Sequence, residues 1–202
     1  SPSDDIKSAM CGAENLPNRF TRSVLDFADG SRLFFNDLRK FGWWKLTSDE
    51  KELQALIGHL GQEPLGRKFT FVSFEKILDR YPKRKIKPNL LDQTLIAGVG
   101  NIYAAETCFA AGILPSRRAG TLALAERRKL HRAIIRILKL AVRLHGTSVD
   151  TYVQLDGSPG GFVPRLKVYG RAGKPCLRCR KEKIRKIKLA GRGTHFCPQC
   201  QK

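Results

Sequence analysis

The stretch of sequence that decides the fold is residues 86–106, which read IKPNLLDQTLIAGVGNIYAAE. Pro88 suits the first turn of a helix, where its missing N–H group would have no partner in any case, and the sequence predicts a helix through residues 89–96. Residues 97–100, which include two glycines, interrupt this helix. Asn101 is a favourable N-cap residue, so a second helix is predicted from there to about residue 111. The centre of the chain is therefore predicted to be two helices joined by a glycine-containing turn.

This turn is a candidate anion-binding site. The free N–H groups at the start of a helix and the positive end of its dipole favour a phosphate, and Gly100 and Asn101 occupy that position. Lys87 lies one helix earlier and is expected to reach the same phosphate. Glycines between two helices are more often simply tight turns, so the residues of the turn alone favour that interpretation. The basic charge of the chain favours the phosphate.

The charge of the chain indicates a polyanionic partner. Its 202 residues contain 38 Lys and Arg against 18 Asp and Glu, which leaves a net charge of +20. A chain with such a field most often binds nucleic acid. An anionic membrane is the weaker alternative, because the basic residues are not confined to one amphipathic helix. No apolar run approaches the roughly 18 residues that a membrane span needs, so the expected partner is nucleic acid rather than a membrane.

Four of the six cysteines have the spacing of a structural zinc site. Cys176 and Cys179 form one C-x2-C pair, Cys197 and Cys200 form a second, and 17 residues separate the pairs. This spacing predicts one zinc ion held by four thiolates. Disulfide bonds are the alternative, but nothing in the sequence indicates the oxidising compartment that they need.

The cysteine-containing module is also strongly basic. Residues 165–192 contain twelve Lys or Arg and one acid, Glu182. The loop between the two cysteine pairs is predicted to be a β-hairpin with its tip at residues 191–193. Arg192 at this tip is either a solvated surface residue or a side chain that enters a nucleic-acid groove. The charge of the whole segment favours the groove.

The first part of the chain is predicted to be strand-rich and then helical. Residues 24–27 and 33–35 read as two strands, and Asp29-Gly30 between them is a strong hairpin turn. Residues 47–50 have the pattern of a capping box, which predicts a helix that ends at Gly61. Further helices are predicted over residues 74–81 and 121–145.

An arginine and three aromatic residues follow the predicted hairpin. An aromatic side chain beside an arginine, such as Phe41 near Arg39, can act as a wedge that unstacks DNA bases. Aromatic residues are also common core residues, and on the residues alone we expect Phe41, Trp43 and Trp44 to be core. No other pattern of histidines or paired carboxylates indicates catalysis.

Three of these segments together resemble the formamidopyrimidine-DNA glycosylase family of bacterial base-excision enzymes. Residues 86–106 resemble its helix–two-turn–helix signature, and residues 37–42, DLRKFG, resemble the motif that supplies its wedge. The four cysteines, with Arg192 five residues before Cys197, resemble its C-terminal zinc finger. The resemblance extends from about residue 20 to the end of the chain.

The resemblance implies an α+β fold in four parts. A remnant of an N-terminal β-sandwich is expected in residues 1–45, a helical connector in 46–86, a helix–two-turn–helix DNA-binding domain in 87–148, and a lesion-loop region with a four-cysteine zinc-finger β-hairpin in 149–202. It also implies one structural zinc ion and a monomer in the bacterial cytoplasm, associated with the nucleoid.

The resemblance implies roles for five phosphate-binding positions. Asn101 and Lys87 would hold the phosphates that flank the damage, together with the N–H group of Gly100. Lys83, in the basic run before Lys87, belongs to the same DNA-binding set. Arg192 would bind the same region and serve as a catalytic residue in the second strand-cleaving elimination.

The resemblance also implies the substrate. Arg39 would fill the gap left by a flipped nucleotide and Phe41 would wedge the base stack, which offsets the cost of extruding the damaged base. The expected partner is double-stranded DNA with oxidised or abasic sites. The expected activity is removal of oxidised purines (formamidopyrimidine and 8-oxoguanine), followed by cleavage of the abasic site through β,δ-elimination.

One departure from the family decides what we expect of the chain as given. The family begins with Pro-Glu, whose proline amine attacks the sugar, whereas this chain begins with Ser-Pro-Ser-Asp. We therefore expect the C-terminal two thirds of a bifunctional glycosylase and lyase, inactive alone. One alternative is a damaged-DNA-binding module without catalysis. Another is an unrelated zinc-ribbon RNA-binding protein, which explains the cysteines and the charge but not residues 39–41.

Overall fold

The computed structural model describes residues 16–38, 40–147 and 160–202. These residues form an N-terminal β-hairpin, five α-helices and a C-terminal β-hairpin, in that order. The mixture of helices and two small antiparallel sheets confirms the α+β class. No helix among these residues is both long enough and apolar enough to cross a membrane.

The N-terminal hairpin forms where the sequence predicts it. Strand β1 (Thr21–Asp26) pairs antiparallel with strand β2 (Arg32–Asn36). Gly30 in the connecting turn has φ +82°, a conformation that glycine adopts without strain from a Cβ atom. Val24 and Leu33 remain 38% and 48% exposed, so the hairpin leaves apolar side chains uncovered. Among the described residues, this hairpin is the strand structure found in residues 1–45, where the remnant of a β-sandwich is predicted.

The five helices are α1 (Glu50–Ile57), α2 (Phe71–Arg80), α3 (Ile86–Leu91), α4 (Asn101–Ala111) and α5 (Leu124–Arg143). The last four share one hydrophobic core, whereas α1 has no buried residue. Helix α4 packs along α5, and side chains of α2 and α3 complete the core. Fully buried core residues include Phe74, Leu78, Ile86, Leu90 and Ile134. Burial of each such side chain stabilises the fold by roughly 1.5–3 kcal/mol, and the shared core fixes α3 and α4 relative to each other.

Helix α3 starts and ends earlier than the sequence predicts. It begins at Ile86 instead of residue 89, so Pro88 is its third residue and still lies in the first turn. It ends at Leu91 because Asp92 forms a turn of its own. The Asp92 Oδ1 atom accepts hydrogen bonds from the Thr94 N–H group at 3.0 Å and from the Thr94 hydroxyl at 2.6 Å. Such side-chain turns compete with helix continuation.

Three other helices also differ from prediction at their ends. Asp49, and not the first residue of the predicted capping box, caps α1 by accepting a hydrogen bond from the backbone N–H two residues later. Helix α1 ends at Ile57, before the predicted stop at Gly61. Helix α2 starts three residues early because the Thr70 hydroxyl caps it. Helix α5 covers residues 124–143 within the predicted 121–145.

The C-terminal hairpin has a tighter tip than the sequence predicts. Strand β3 (Arg185–Leu189) pairs with β4 (Arg192–Phe196) through a two-residue turn. Ala190 and Gly191 in this turn have φ +47° and +75°, and positive φ at both positions matches the twist of the flanking strands. Arg192 is therefore the first residue of β4, beside the tip and not in its middle.

The cysteine module packs directly on α4. Ala105 and Phe109 of α4 share a buried cluster with Val168, Ile184 and two of the cysteines. Strand β4 also contacts α4. This packing brings the start of β4 to the start of α4.

Candidate nucleic-acid interface and metal centre

The start of α4 is open and carries unused backbone donors. Gly100 is the N-cap through its extended backbone, and Asn101 is the first helical residue with no capping bond from its side chain. The predicted capping role of Asn101 is therefore wrong. Gln93 braces the turn, since its Oε1 accepts the Gly98 N–H at 2.8 Å and its Nε2 donates to the Val99 carbonyl at 3.0 Å. The N–H groups of Gly100 and Asn101 have no acceptor in the described part of the chain.

Lys87 lies behind this turn and joins three elements. Its Nζ atom donates hydrogen bonds to Asn101 Oδ1 at 2.7 Å, to Thr194 Oγ1 at 2.7 Å and to the Gly193 carbonyl at 3.1 Å. These bonds use all three ammonium protons, and Lys87 is fully buried. Because Asn101 Oδ1 accepts from Lys87, the other end of the amide, the Nδ2 donor, is directed away from the lysine. Lys87 thus orients Asn101 as a donor.

The charge of Lys87 is sensitive to its surroundings. Burial lowers the pKa of the ammonium to about 8; Cys108 opposes this effect and the positive charge of Arg192 adds to it. A buried cation without a paired carboxylate is costly. An anion bound at the start of α4 would relieve this cost, so the site is electrostatically prepared for one.

Arg192 and Lys83 differ in their relation to this cluster. Arg192 is exposed at the start of β4, two residues before Thr194, and is close enough to affect the pKa of Lys87. Lys83 is exposed in the turn between α2 and α3. No contact among the described residues joins Lys83 to Lys87 or Asn101. The structure therefore brings together Lys87, Asn101 and Arg192, and leaves Lys83 outside.

The aromatic residues after β2 are exposed, and the expectation that they are core is wrong. Phe41 is 77% exposed, Trp43 is 70% exposed and Trp44 is 46% exposed. The Asp37 carboxylate accepts the Gly42 N–H at 2.5 Å and so closes the loop that carries Phe41. Arg39 lies outside the described residues.

The four predicted zinc ligands converge. The Sγ atoms of Cys176, Cys179, Cys197 and Cys200 all lie within 4.8 Å of one another. The distance from Cys176 to Cys200 is 3.8 Å and that from Cys179 to Cys197 is 3.7 Å. Four sulfurs about 2.3 Å from a tetrahedral zinc ion would be about 3.8 Å apart. A disulfide would instead require a separation of about 2.05 Å, so the geometry fits one structural zinc ion.

The cysteines also need a cation to become thiolates together. The N–H group of Glu182 lowers the pKa of Cys179 to about 6, whereas burial raises the pKa of Cys200 to about 12. Backbone dipoles thus favour a thiolate at Cys179, and the charge of a metal would favour thiolates at Cys197 and Cys200, whose pKa values burial raises.

Glu106 is a buried anchor to which the sequence analysis assigned no role. Its carboxylate accepts four hydrogen bonds of 2.9–3.0 Å from the N–H groups of Lys167, Val168 and Tyr169. Burial raises the pKa of Glu106, and these N–H groups act in the opposite direction. Glu106 ties α4 to the segment that leads into the cysteine module. Its signal in the sequence is an acid in the otherwise apolar run of α4.

Comparisons with known proteins agree with this arrangement. The model of the formamidopyrimidine-DNA glycosylase H2TH domain matches residues 60–153, and the model of the zinc finger found in FPG and IleRS matches residues 173–202. The formamidopyrimidine-DNA glycosylase of Exiguobacterium sp. is 40% identical over 186 residues, which are 92% of this chain and 67% of the relative. The one from Listeria monocytogenes serotype 4b is 45% identical, with the same coverage.

Solved structures extend the comparison to the fold. The MutM (Fpg) protein of Thermus thermophilus superposes with a TM-score of 0.83 at 42% identity, covering 92% of this chain and 70% of that one. A complex of Lactococcus lactis Fpg with abasic-site DNA gives 0.79 at 43% identity, covering 89% and 65%. The chain spans about two thirds of the length of these relatives. Because the family models, the sequences of the relatives and the fold of the solved structures all match, the chain belongs to the formamidopyrimidine-DNA glycosylase family.

Proposed function

We propose that this chain binds double-stranded DNA at abasic or oxidised-purine sites, as part of a bacterial base-excision repair enzyme that acts at the nucleoid. The observation that carries the proposal is the joining of Lys87, Asn101 and Thr194 at the open start of α4. Solved relatives support it, since those of Lactococcus lactis are complexes with abasic-site and Fapy-dG DNA. The net charge of +20 suits the DNA backbone.

The phosphates beside the damage are the groups that this cluster binds. The N–H groups of Gly100 and Asn101 and the Nδ2 group of Asn101 donate hydrogen bonds to one phosphate. Lys87 supplies positive charge behind them, and Arg192 adds a charged donor from β4. Lys83 contacts the backbone further along. Hydrogen bonds from oriented donors to a charged group are about twice as strong as neutral ones.

The loop after β2 opens the base stack. Phe41 is 77% exposed, and an apolar side chain inserted between base steps kinks the duplex. Arg39 fills the space of the nucleotide that is flipped out. These contacts offset the cost of extruding a base, which is about a few kcal/mol.

For the complete protein, we propose removal of the oxidised purine and cleavage of the abasic site by β,δ-elimination. Arg192 is then the catalytic residue of this chain, because its guanidinium would stabilise the phosphate that leaves in the second elimination. The names of the relatives support glycosylase activity. Borohydride trapping on an abasic duplex tests whether this chain carries its own amine nucleophile. A covalent adduct would show that it does, whereas lesion binding without an adduct would indicate a damaged-DNA-binding module.

Fluorescence anisotropy tests the binding proposal. We expect the chain to bind a duplex with a tetrahydrofuran abasic site more tightly than the undamaged duplex. Asn101→Ala should weaken abasic binding about tenfold, the effect of roughly 1.5 kcal/mol for a hydrogen bond to a charged group. Gln54→Ala removes an amide from exposed helix α1 and is the matched control. Equal affinities for both duplexes, or equal behaviour of the two variants, would contradict the proposal.

A further inference from the structure

A second site lies on the side of α4 that the DNA-binding cluster does not use. A cavity of about 420 Å³ opens between α4, α5, residues 162–167 and the first cysteine pair. Ligand pockets in proteins span roughly 300–1,000 Å³, so this space holds one or two side chains of a partner. Nothing in the proposed DNA-binding function uses it.

The geometry of α4 separates this cavity from the phosphate site. Ala110 lines the cavity, and Asn101 lies nine residues earlier in the same helix. At about 100° and 1.5 Å per residue, nine residues correspond to about 180° of rotation and about 13 Å of rise. Ala110 and Asn101 therefore point to opposite sides of α4, near its two ends.

The wall of the cavity is apolar. Its apolar lining includes Phe109 and Ala110 of α4, Ile137 and Leu140 of α5, and Phe162. Leu177 at the rim is 48% exposed. An apolar wall of this kind favours an apolar side chain in the interior of the cavity, because the hydrogen-bond donors of the lining lie at its rim.

The rim of the cavity is positively charged. Four exposed cations surround it, and none forms an ion pair with a carboxylate among residues 16–38, 40–147 and 160–202. The guanidinium of Arg178 lies 4.1 Å above the ring of Phe109. Among the described residues, Glu106 is the one acid in the lining, and both of its oxygens accept backbone hydrogen bonds. The four cations are Arg136, Arg165, Lys167 and Arg178.

A basic ridge continues from the cavity along α5. Arg132, Arg136, Lys139 and Arg143 recur at intervals of four, three and four residues, which places them on one face of the helix. Ile135 and Leu140 lie between these cations. The ridge and the cavity share Arg136 and Leu140, so a chain bound along α5 would reach the cavity.

We propose that this cavity and ridge form a docking site for an acidic segment of a partner protein. One aromatic or large aliphatic side chain of that segment enters the cavity, and its carboxylates pair with the rim and the ridge. Charge complementarity identifies the occupant as acidic, and the apolar wall identifies a protein side chain and not a nucleic-acid backbone. The inference is independent of the proposed DNA binding, because it concerns the opposite side of α4.

Two labelled peptides test the proposal against the intact chain at physiological ionic strength. The first is a nine-residue peptide of Asp and Glu with a central Phe, and the second has Gly in place of that Phe. We expect the Phe peptide to bind about tenfold more tightly, since only it fills the cavity. The Gly peptide measures the attraction of acids to the basic surface as a whole. Equal affinities of the two peptides would overturn the proposal.

Four variants locate the binding. Ala110→Trp fills the cavity and should reduce the affinity of the Phe peptide to that of the Gly peptide, whereas Leu124→Trp at the exposed start of α5 should not. Arg136→Glu should weaken both peptides about fivefold, and more than Lys51→Glu on α1. Melting curves and zinc content check that each variant is folded. If Ala110→Trp does not fold, the surface variant Arg136→Glu still tests the proposal.

The same variants distinguish a protein partner from DNA. Affinity for an abasic duplex should be unchanged within about twofold in Ala110→Trp. A fall in DNA affinity that parallels the loss of peptide binding would assign the cavity to the DNA-binding surface and overturn the proposal. A failure of abasic binding in the unmodified chain, with the peptide results intact, would reject the proposed function and leave this inference standing.

Discussion

The buried ammonium of Lys87 predicts how DNA binding depends on pH. With a pKa of about 8, Lys87 is about 90% charged at pH 7 and about 10% charged at pH 9. A phosphate at the start of α4 favours the charged form, so DNA binding above pH 8 requires uptake of a proton. If the phosphate restores the pKa to its ordinary value of 10.5, affinity for an abasic duplex falls roughly tenfold from pH 7 to pH 9.

The groups around Lys87 do not titrate in the same interval. Burial raises the pKa of Cys108 to about 12, so its thiol stays protonated. Burial lowers the pKa of His195, which moves its titration away from this interval. The change between pH 7 and pH 9 is therefore assigned to Lys87 within this cluster.

The assay is a series of anisotropy titrations with an abasic duplex between pH 7 and pH 9 at constant ionic strength. Lys87→Arg keeps a charge that does not titrate, and Lys87→Met has no charge to lose. Both variants should show a flat pH profile, while the unmodified chain should show the roughly tenfold decline. A decline of equal size in all three proteins, or none in the unmodified chain, would refute the reasoning.

Three further predictions concern the stability of the elements that hold the site. Glu106→Ala should lower the free energy of unfolding in urea by about 3 kcal/mol, because one buried and two partly buried N–H groups lose their acceptor; stability equal to that of the unmodified chain would count against the anchor. Chelation of zinc should expose residues 173–202 to protease while the helical circular dichroism persists. A module that stays protected from protease after chelation would rule out the metal centre. Thr70→Ala should cost about 1 kcal/mol by removing the cap of α2, with Thr70→Ser close to the unmodified chain; the reverse order would be inconsistent with the cap.

Local signals in the sequence predict much of the fold. The Asp29-Gly30 turn predicts the first hairpin because a positive φ is needed at that point, and Gly30 has it. Helix α4 ends at Ala111 as predicted, and Gly112 after it has φ +76°. The spacing of the four cysteines predicts the metal centre, since two turns and a hairpin suffice to bring the sulfurs together.

Contacts between distant parts of the chain are what the sequence does not predict. Lys87 is buried because Thr194, 107 residues later, packs over it, and no local pattern encodes that pairing. Glu106 likewise binds N–H groups more than 60 residues away. Residue type also does not predict the exposure of Phe41, because burial depends on what the rest of the fold places nearby. The site therefore depends on packing that a single sequence does not reveal.

The most direct test of the DNA-binding account is the salt dependence of abasic-duplex affinity in Arg192→Ala. If Arg192 contacts a phosphate beside the lesion, plots of log affinity against log salt should be less steep than those of the unmodified chain by about 0.9, the value for one lost phosphate contact. Lys51→Ala, on exposed helix α1, should leave the slope unchanged. Parallel slopes for Arg192→Ala and the unmodified chain would contradict the assignment of this cluster to the DNA backbone.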